Sequence, residues 1–358
     1  MIYLDHNATT PVDERVLQVM LPFFSRFYAN PSSLYKLARL SRSAIDTARE
    51  QVAQLVNARP EQVIFTSGGT EANNLALKAC LPKAKAITSA FEHPSVLQSL
   101  HNPELAVITK QGYIDPQSII QFAQQFDLAS FMLVNNETGV IQDIPSLSAI
   151  MKQQGTIVHT DAVQAAGKIP VDFQAMGVDL MSLSSHKMYG PKGCGALIAS
   201  PEHINNPLLT GGGQEAGLRA GTENVPAIVG FGKAAELAHA ELEQRHQHCL
   251  KLRTRLENQL HKIPGVTVFA LDSERVANTV QFGLQNCVGE MLLMQLDKRG
   301  IAVSSGSACA TSNWSASHVL NSMGIEEDLA RSAIRVSLGQ GNTEQEIDCF
   351  VQELMQIL

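Results

Sequence analysis

The stretch 156–198, TIVHTDAVQAAGKIPVDFQAMGVDLMSLSSHKMYGPKGCGALI, holds three short apolar runs: Thr156–Thr160, Val178–Leu183 and Cys194–Ile198. Partly β-branched runs bounded by Gly, Pro and Asp read as buried strands. Two charged residues follow them closely. Asp161 comes directly after the first run and Lys187 shortly after the second. Open α/β sheets bind ligands at the carboxyl ends of their strands, so both residues fall where chemistry is done. The third run returns after the Gly-rich segment 185–195, SHKMYGPKGCG, and departs there from simple crossover order.

Working outward, similar runs at Val63–Thr66, Ala86–Ser89, Leu105–Thr109 and Leu128–Val134 bring the strand count to seven. Helix-period segments lie between many of them, at Glu71–Ala79, Pro94–Leu100, Pro116–Phe126 and Pro145–Gln154, several with Pro in a plausible first turn. Strands alternating with helices read as an α/β fold with a mainly parallel seven-stranded sheet covered by helices. From Val225 to about Lys262 the pattern predicts one long helix joining two domains. Beyond it, strands at Val266–Ala270, Ala277–Phe282, Ile301–Ser304 and Ile334–Leu338 alternate with helices at Glu290–Lys298 and Glu344–Ile357, the pattern of a smaller α+β domain.

The chain has 358 residues, 44% of them hydrophobic and 17% charged, enough for two cores and too apolar for disorder. Its formal charge of −7 gives no reason to expect a nucleic-acid platform. No stretch has the length of uncharged residues that a membrane span needs, and no leader pattern opens the chain, so a cytoplasmic protein is expected. The six cysteines, Cys80, Cys194, Cys249, Cys287, Cys309 and Cys349, form no C-x-x-C pair, which argues against a disulfide framework and a thiolate zinc site. His246, His248 and Cys249 invite a metal reading, but on a helix only 246 and 249 share a face, so no metal is expected.

Three motifs carry the chemistry. Thr66-Ser67-Gly68-Gly69-Thr70-Glu71 follows a strand and opens a helix, where free N–H groups and small residues suit a phosphate; alone it reads equally as a capped turn. Asp161, in His159-Thr160-Asp161-Ala162-Val163-Gln164, is either a cap or a functional charge. Lys187, between small polar residues and a Gly-Pro turn, is either an exposed loop lysine or a Schiff-base lysine. Together they supply what pyridoxal 5'-phosphate requires: an amine for its aldehyde, an acid for its pyridinium nitrogen and a helix start for its phosphate.

At this point the sequence resembles the pyridoxal-phosphate-dependent cysteine desulfurases, in the branch of the nitrogen-fixation and iron-sulfur assembly enzymes. The resemblance runs nearly end to end, through YLDHNATTP at 3–11, FTSGGTEANN at 65–74, EHPSV at 92–96, VNNETGVIQDI at 134–144, HTDAVQAAGK at 159–168, SSHKMYGPKGCGAL at 184–197, GGGQEAGLRAGTENV at 211–225, SSGSAC at 304–309 and IRVSLG at 334–339. It implies a fold-type-I enzyme with a large cofactor-binding domain at 13–250 and a small domain formed by 1–12 and 251–358. Lys187 would anchor the cofactor, Asp161 pair with its ring nitrogen, Gln164 reach its ring hydroxyl, and His93 stack on the ring and assist proton transfer. Gly69, Thr70, Ser184 and His186 would hold the phosphate, joined by Thr222 from the second subunit of a homodimer. Asn136 and Arg335 would bind the carboxylate of L-cysteine, a task that suits a two-pronged Arg.

Cys309 lies in a run of small residues without hydrophobic period, and the resemblance makes it the nucleophile and persulfide carrier. The implied reaction converts L-cysteine to L-alanine and passes sulfur to an acceptor protein for iron-sulfur clusters or thiolated tRNA. A selenocysteine lyase or another lyase of the same fold, and a silent partner-binding scaffold, are the alternatives; SSGSAC speaks against the first, and the joint presence of Lys187, Asp161, His93, Arg335 and Cys309 against the second. Ala216 stands where close relatives often carry Arg, and the chain ends at Leu358 without the longer tail by which some relatives contact a cluster scaffold, so the acceptor stays open. Trp314, just beyond the cysteine run, is expected to anchor its hinge.

Overall fold

A computed structural model describes residues 1–79, 84–121, 126–204, 206–305 and 316–358. Cys309 and Trp314 lie outside the described residues. Strand β1 is Ile2–Tyr3, and the seven expected strands follow as β2 (Val63–Thr66), β3 (Ala86–Ser89), β4 (Glu104–Ala106), β5 (Leu128–Ser130), β6 (Ile157–Asp161), β7 (Leu180–Ser184) and β8 (Gly195–Ala199). They form one sheet in the order β2-β8-β7-β6-β5-β3-β4. Four neighbouring pairs are parallel, and β8 alone runs against both its neighbours. The connection 185–194 is too short to hold a crossover helix, so the chain can only return antiparallel. Most strand residues are buried on both faces, which explains why they read as apolar runs instead of alternating ones.

The expected run Leu128–Val134 ends early as a strand, at Ser130. Its pairing with β6 continues all the same, through Phe131 N to His159 O and Leu133 N to Asp161 O. The expected single helix from Val225 to Lys262 is two helices, Val225–Ala240 and Leu242–Leu260, broken at Glu241 (φ −106, ψ 9). Charge pairing holds the break: the Glu241 carboxylate accepts hydrogen bonds from Arg15 before the first helix and Arg245 in the second. The break lets each helix serve its own core. The first packs on Lys36–Leu55 and the second on the C-terminal helix Glu344–Ile357.

After the break come β9 (Val266–Val268), β10 (Thr279–Leu284), β11 (Ile301–Ala302), β12 (Ser304–Ser305) and β13 (Ile334–Ser337). The expected strand Ile301–Ser304 is thus divided: β11 pairs in parallel with β1, while β12 joins the antiparallel sheet β12-β13-β10-β9. One apolar cluster gathers β9, β10, β11 and β13 with the three helices Leu242–Leu260, Gly289–Lys298 and Glu344–Ile357, and Leu4, Leu252, Leu256, Phe282, Ile334 and Phe350 are fully or nearly fully buried in it. A larger cluster fills one face of the seven-stranded sheet and takes in Ile45, Phe65, Phe131 and Phe231. Each such side chain contributes about 1.5–3 kcal/mol by leaving water. The N-terminal segment crosses between them, since Asn7 N donates to Ser337 Oγ and Thr10 N to His186 O. Among the described residues no helix is long and apolar enough to cross a membrane.

Candidate active site

The sheet topology brings the motifs to one edge. Thr66 and Ser184, the last residues of β2 and β7, both sit opposite Gly195 of β8. A Cβ on Gly195 would lie 2.6 Å from the backbone of Gly68, so only glycine allows the loop after β2 to close over β8. The helix Gly69–Asn74 starts from that loop, with a Cβ on Gly69 reaching 2.8 Å from Val163. The neighbouring strand β6 ends on Asp161, and Lys187 closes the short 3-10 turn Ser185–Lys187 after β7.

A cleft of about 660 Å³ opens above this edge. Its wall includes Gly69, Thr70, His93, Asn136, Asp161, Gln164, Ser184, His186, Lys187 and Arg335, all the expected site residues among those described except Thr222, which lies exposed and away from it. The Asp161 carboxylate is buried and doubly held, by the Asn73 amide at 2.8 Å and the Val163 N–H at 3.0 Å. Asn73 gives its other N–H to Ser95 Oγ at 2.9 Å. The Lys187 amine donates to the carbonyls of Asn7 and Ala8 at 2.6 and 2.7 Å.

His93 caps the short helix Pro94–Leu97, and its Nδ1 accepts the backbone N–H of Ser95 at 3.1 Å. That bond leaves the proton of the neutral ring on Nε2. Burial, with the charges of Lys187 and His318, holds the His93 pKa below its ordinary value although Asp161 opposes the shift, so the ring is neutral near pH 7. His186 is held at about 4 by burial and by Lys187 and Lys192, and its Nδ1 lies 3.1 Å from Thr9 Oγ1. Glu92 lies fully buried beneath, its pKa raised to about 8 chiefly by burial.

Arg335 comes from β13, across the cleft from the large sheet. Its Nη2 pairs with Asp5 at 2.8 Å and its Nη1 donates to Asn136 O at 3.1 Å, while its buried Nε has no partner among the described residues. A guanidinium held in position with donor capacity in reserve fits an incoming carboxylate. The set as a whole fits a phosphorylated pyridine aldehyde as well. It offers an amine, a buried carboxylate, an imidazole, and a helix start flanked by Thr70, Ser184 and His186.

The sequence reading did not single out Asn7, Asn73, Glu137 or His318, which also line the cleft. Asn7, Asn73 and Glu137 stand inside quoted motifs, Glu137 directly beside the assigned Asn136. Nothing local marks His318. Among the described residues no group of three or more His, Cys, Asp or Glu could hold a metal ion, and His248 Nε2 lies 3.0 Å from Asn342 O.

The aminotransferase class-V family matches residues 2–350. The chain is 41% identical to "Cysteine desulfurase IscS" of Methanosarcina thermophila, over 100% of this chain and 92% of that one. "Cysteine desulfurase 2" of Trichormus variabilis is also 41% identical, over 100% and 93%. Among solved structures, a NifS-like protein from Rickettsia africae superimposes with a TM-score of 0.93 at 35% identity, covering 100% of this chain and 99% of that one. Another, titled "SspA in complex with cysteine", gives 0.84 at 32% identity, covering 96% and 100%.

Proposed function

The chain belongs to the cysteine desulfurases of the class-V aminotransferase family, and from that premise we propose that this cleft converts L-cysteine to L-alanine and passes the sulfur to Cys309. The observation that carries the reading is the meeting of Lys187, Asp161, His93 and Arg335, from four separate segments, in one cleft. Pyridoxal phosphate is the cofactor; when bound it supplies an aldehyde and an electron-poor ring able to take up charge from the substrate's Cα. Asp161 would hold the ring nitrogen, Gln164 the ring hydroxyl, and Gly69, Thr70, Ser184 and His186 the phosphate.

Arg335 and Asn136 hold the substrate carboxylate, which fixes the amino group toward Lys187 and the thiol toward the opening. Lys187 moves the proton at Cα, and His93 holds one on Nε2 for the departing or arriving group. The Cys309 thiolate attacks the substrate sulfur, the carbon–sulfur bond breaks, Cys309 keeps the persulfide, and the carbon skeleton takes up a proton to leave as alanine. An acceptor protein then receives the sulfur for iron-sulfur clusters or tRNA thiolation.

The proposal includes a homodimer. Leu17, Leu21, Phe24, Tyr28, Leu34 and Tyr35 are exposed close together in sequence, Leu34 at 89%, and so many large apolar side chains left in water favour a partner that covers them. Thr222, exposed and away from its own cleft, is then free to serve the partner's phosphate site. The free thiols of Cys194, Cys249, Cys287 and Cys349 suit the cytoplasm.

The test is mass spectrometry after brief exposure to L-cysteine, with alanine assayed in the same tube. Sulfur added at Cys309 with matching alanine is expected. Cys309→Ala should keep its bound cofactor and lose sulfide release by about a hundredfold or more, the scale of losing a nucleophile. Undiminished release sinks the assignment.

A further inference from the structure

Lys168 lies four residues beyond Gln164 and has no role in the reaction described above. Part of its stem is accessible, yet its amine is enclosed between two side-chain amides, donating to Gln164 Oε1 at 2.6 Å and Asn7 Oδ1 at 2.8 Å. A lysine amine in this position only donates, so each amide must turn its oxygen toward it. The consequences spread on both sides. Gln164 is left with its Nε2 facing the Asn7 carbonyl at 2.9 Å, with a second N–H to spare at the cleft wall. Asn7 is left with its Nδ2 facing Asn136 O at 3.1 Å and Thr279 Oγ1 at 2.9 Å. Asn136 O also receives Arg335 Nη1, and Asn7 O also receives the Lys187 amine.

We propose that Lys168 is a positioning residue that fixes the amide orientation of Gln164, sharing that of Asn7 with Asn278, whose Nδ2 also donates to Asn7 Oδ1 at 3.0 Å, and thereby directs a Gln164 N–H at the ring oxygen of the cofactor. The inference rests on the reading of Gln164 as a cofactor contact. It does not require the charge of Lys168: the two N–H groups of a neutral amine still serve the two acceptors, and its lone pair does not turn the Gln164 amide round, because Gln164 Nε2 is already drawn to the Asn7 carbonyl. That matters here, since burial, with the charges of Lys187 and Arg335, holds its pKa well below the ordinary lysine value. Without Lys168, Gln164 Oε1 loses its donor, and the amide keeps one bond, to a carbonyl that Lys187 also uses. An N–H donated to the ring oxygen stabilises its anionic form, so its loss raises the pH at which the visible band of the loaded enzyme titrates.

The experiment is a cycle of Lys168→Met, Gln164→Leu and the double variant, each loaded with pyridoxal phosphate and checked for folding by its thermal midpoint. The readouts are the titration midpoint of the visible band, and kcat and KM for L-cysteine. Lys168→Met should raise the midpoint by about half a pH unit or more and lower kcat about tenfold with KM within about twofold, the pattern of a positioning defect. The same change in the Gln164→Leu background should then move the midpoint no further. If Lys168→Met does not fold, Lys168→Gln carries the test: it keeps one donor and should show a partial shift. An unmoved midpoint in Lys168→Met overturns the proposal, and so does a shift of full size in the double variant. A Gln164→Leu enzyme with the wild-type band would remove the reading of Gln164 itself, and the proposal with it; that comparison involves no change at 168, so the two failures are told apart.

Discussion

Asn73 divides its amide between Asp161 and the Ser95 hydroxyl, and Ser95 in turn meets Nδ1 of His93 with both its N–H and its Oγ. One buried side chain thus ties the Asp161 carboxylate to the His93 imidazole through Ser95. Asn73→Leu keeps the volume and removes both donors, leaving a buried carboxylate one partner short, at a cost of about 1–3 kcal/mol. The expected outcome is a lower thermal midpoint and cofactor affinity weakened about tenfold, read by titrating the cofactor-free protein. Unchanged affinity would show that Asp161 does not depend on it. Asn73 was hard to read from the chain because its partner lies 88 residues away. Lys187 and Asp161 were legible because each follows an apolar strand directly, where a charge needs a reason. Lys168 and Asn7 both stand inside quoted blocks, but they act on one another across 161 residues, and nothing local pairs them.

The closest-packed helix pair is Lys36–Leu55 with Val225–Ala240, and Gly232 is where they touch. A Cβ there would lie 2.5 Å from the Cα of Ala48 and 2.6 Å from its Cβ. The obstacle is backbone, so it cannot swing aside. Gly232→Ala gains up to about 1 kcal/mol of helix propensity and incurs about 1–3 kcal/mol of overpacking. Net destabilisation by about 1–2 kcal/mol follows, measurable by denaturant unfolding, and a stabilised variant would contradict this packing. The same pair shows where sequence reading stopped. All seven strands of the sheet were legible, most because strands buried on both faces are largely apolar, although β4 is exposed at Glu104 and Leu105. Lys36–Leu55 was not read as a helix, although Ala38, Ile45, Ala48, Val52 and Leu55 give it a buried face opposite a charged one. The break at Glu241 was also hidden: Glu suits a helix locally, and its partner Arg15 lies 226 residues away.

Across the whole molecule, buried titrating groups set opposite slopes on stability. His6 and His159 are held at about 4, both mainly by burial, so below about pH 6.5 the unfolded chain takes up protons the native one refuses. Stability is therefore lost as pH falls from 6.5 toward 4, and His186, partly exposed, shifts the same way. Glu92 has the reverse sign. Its carboxyl stays protonated in the native state up to about 8 and ionises near the ordinary glutamate value once unfolded, so stability is lost as pH rises from about 4.5 to 8. Glu137, also raised by burial, adds to that alkaline loss. In the acid window the three imidazoles outweigh the two carboxyls, a net uptake of at most about one proton, or about 1.4 kcal/mol per pH unit. Above 6.5 the imidazoles no longer contribute, and the two carboxyls outweigh Lys168, whose buried amine is held well below the ordinary lysine value and works the other way. The cofactor-free protein should therefore be most stable near pH 6.5, with lower thermal midpoints at pH 5 and pH 8. Glu92→Gln keeps the oxygen that accepts from Ser89 and Met132 and cannot ionise, so it should flatten the alkaline side and steepen the acid side, where the carboxyl had offset part of the imidazole slope. Calorimetry at the three pH values decides it: an undiminished loss between pH 6.5 and 8 in Glu92→Gln would mean that Glu92 is not the group whose ionisation burial opposes.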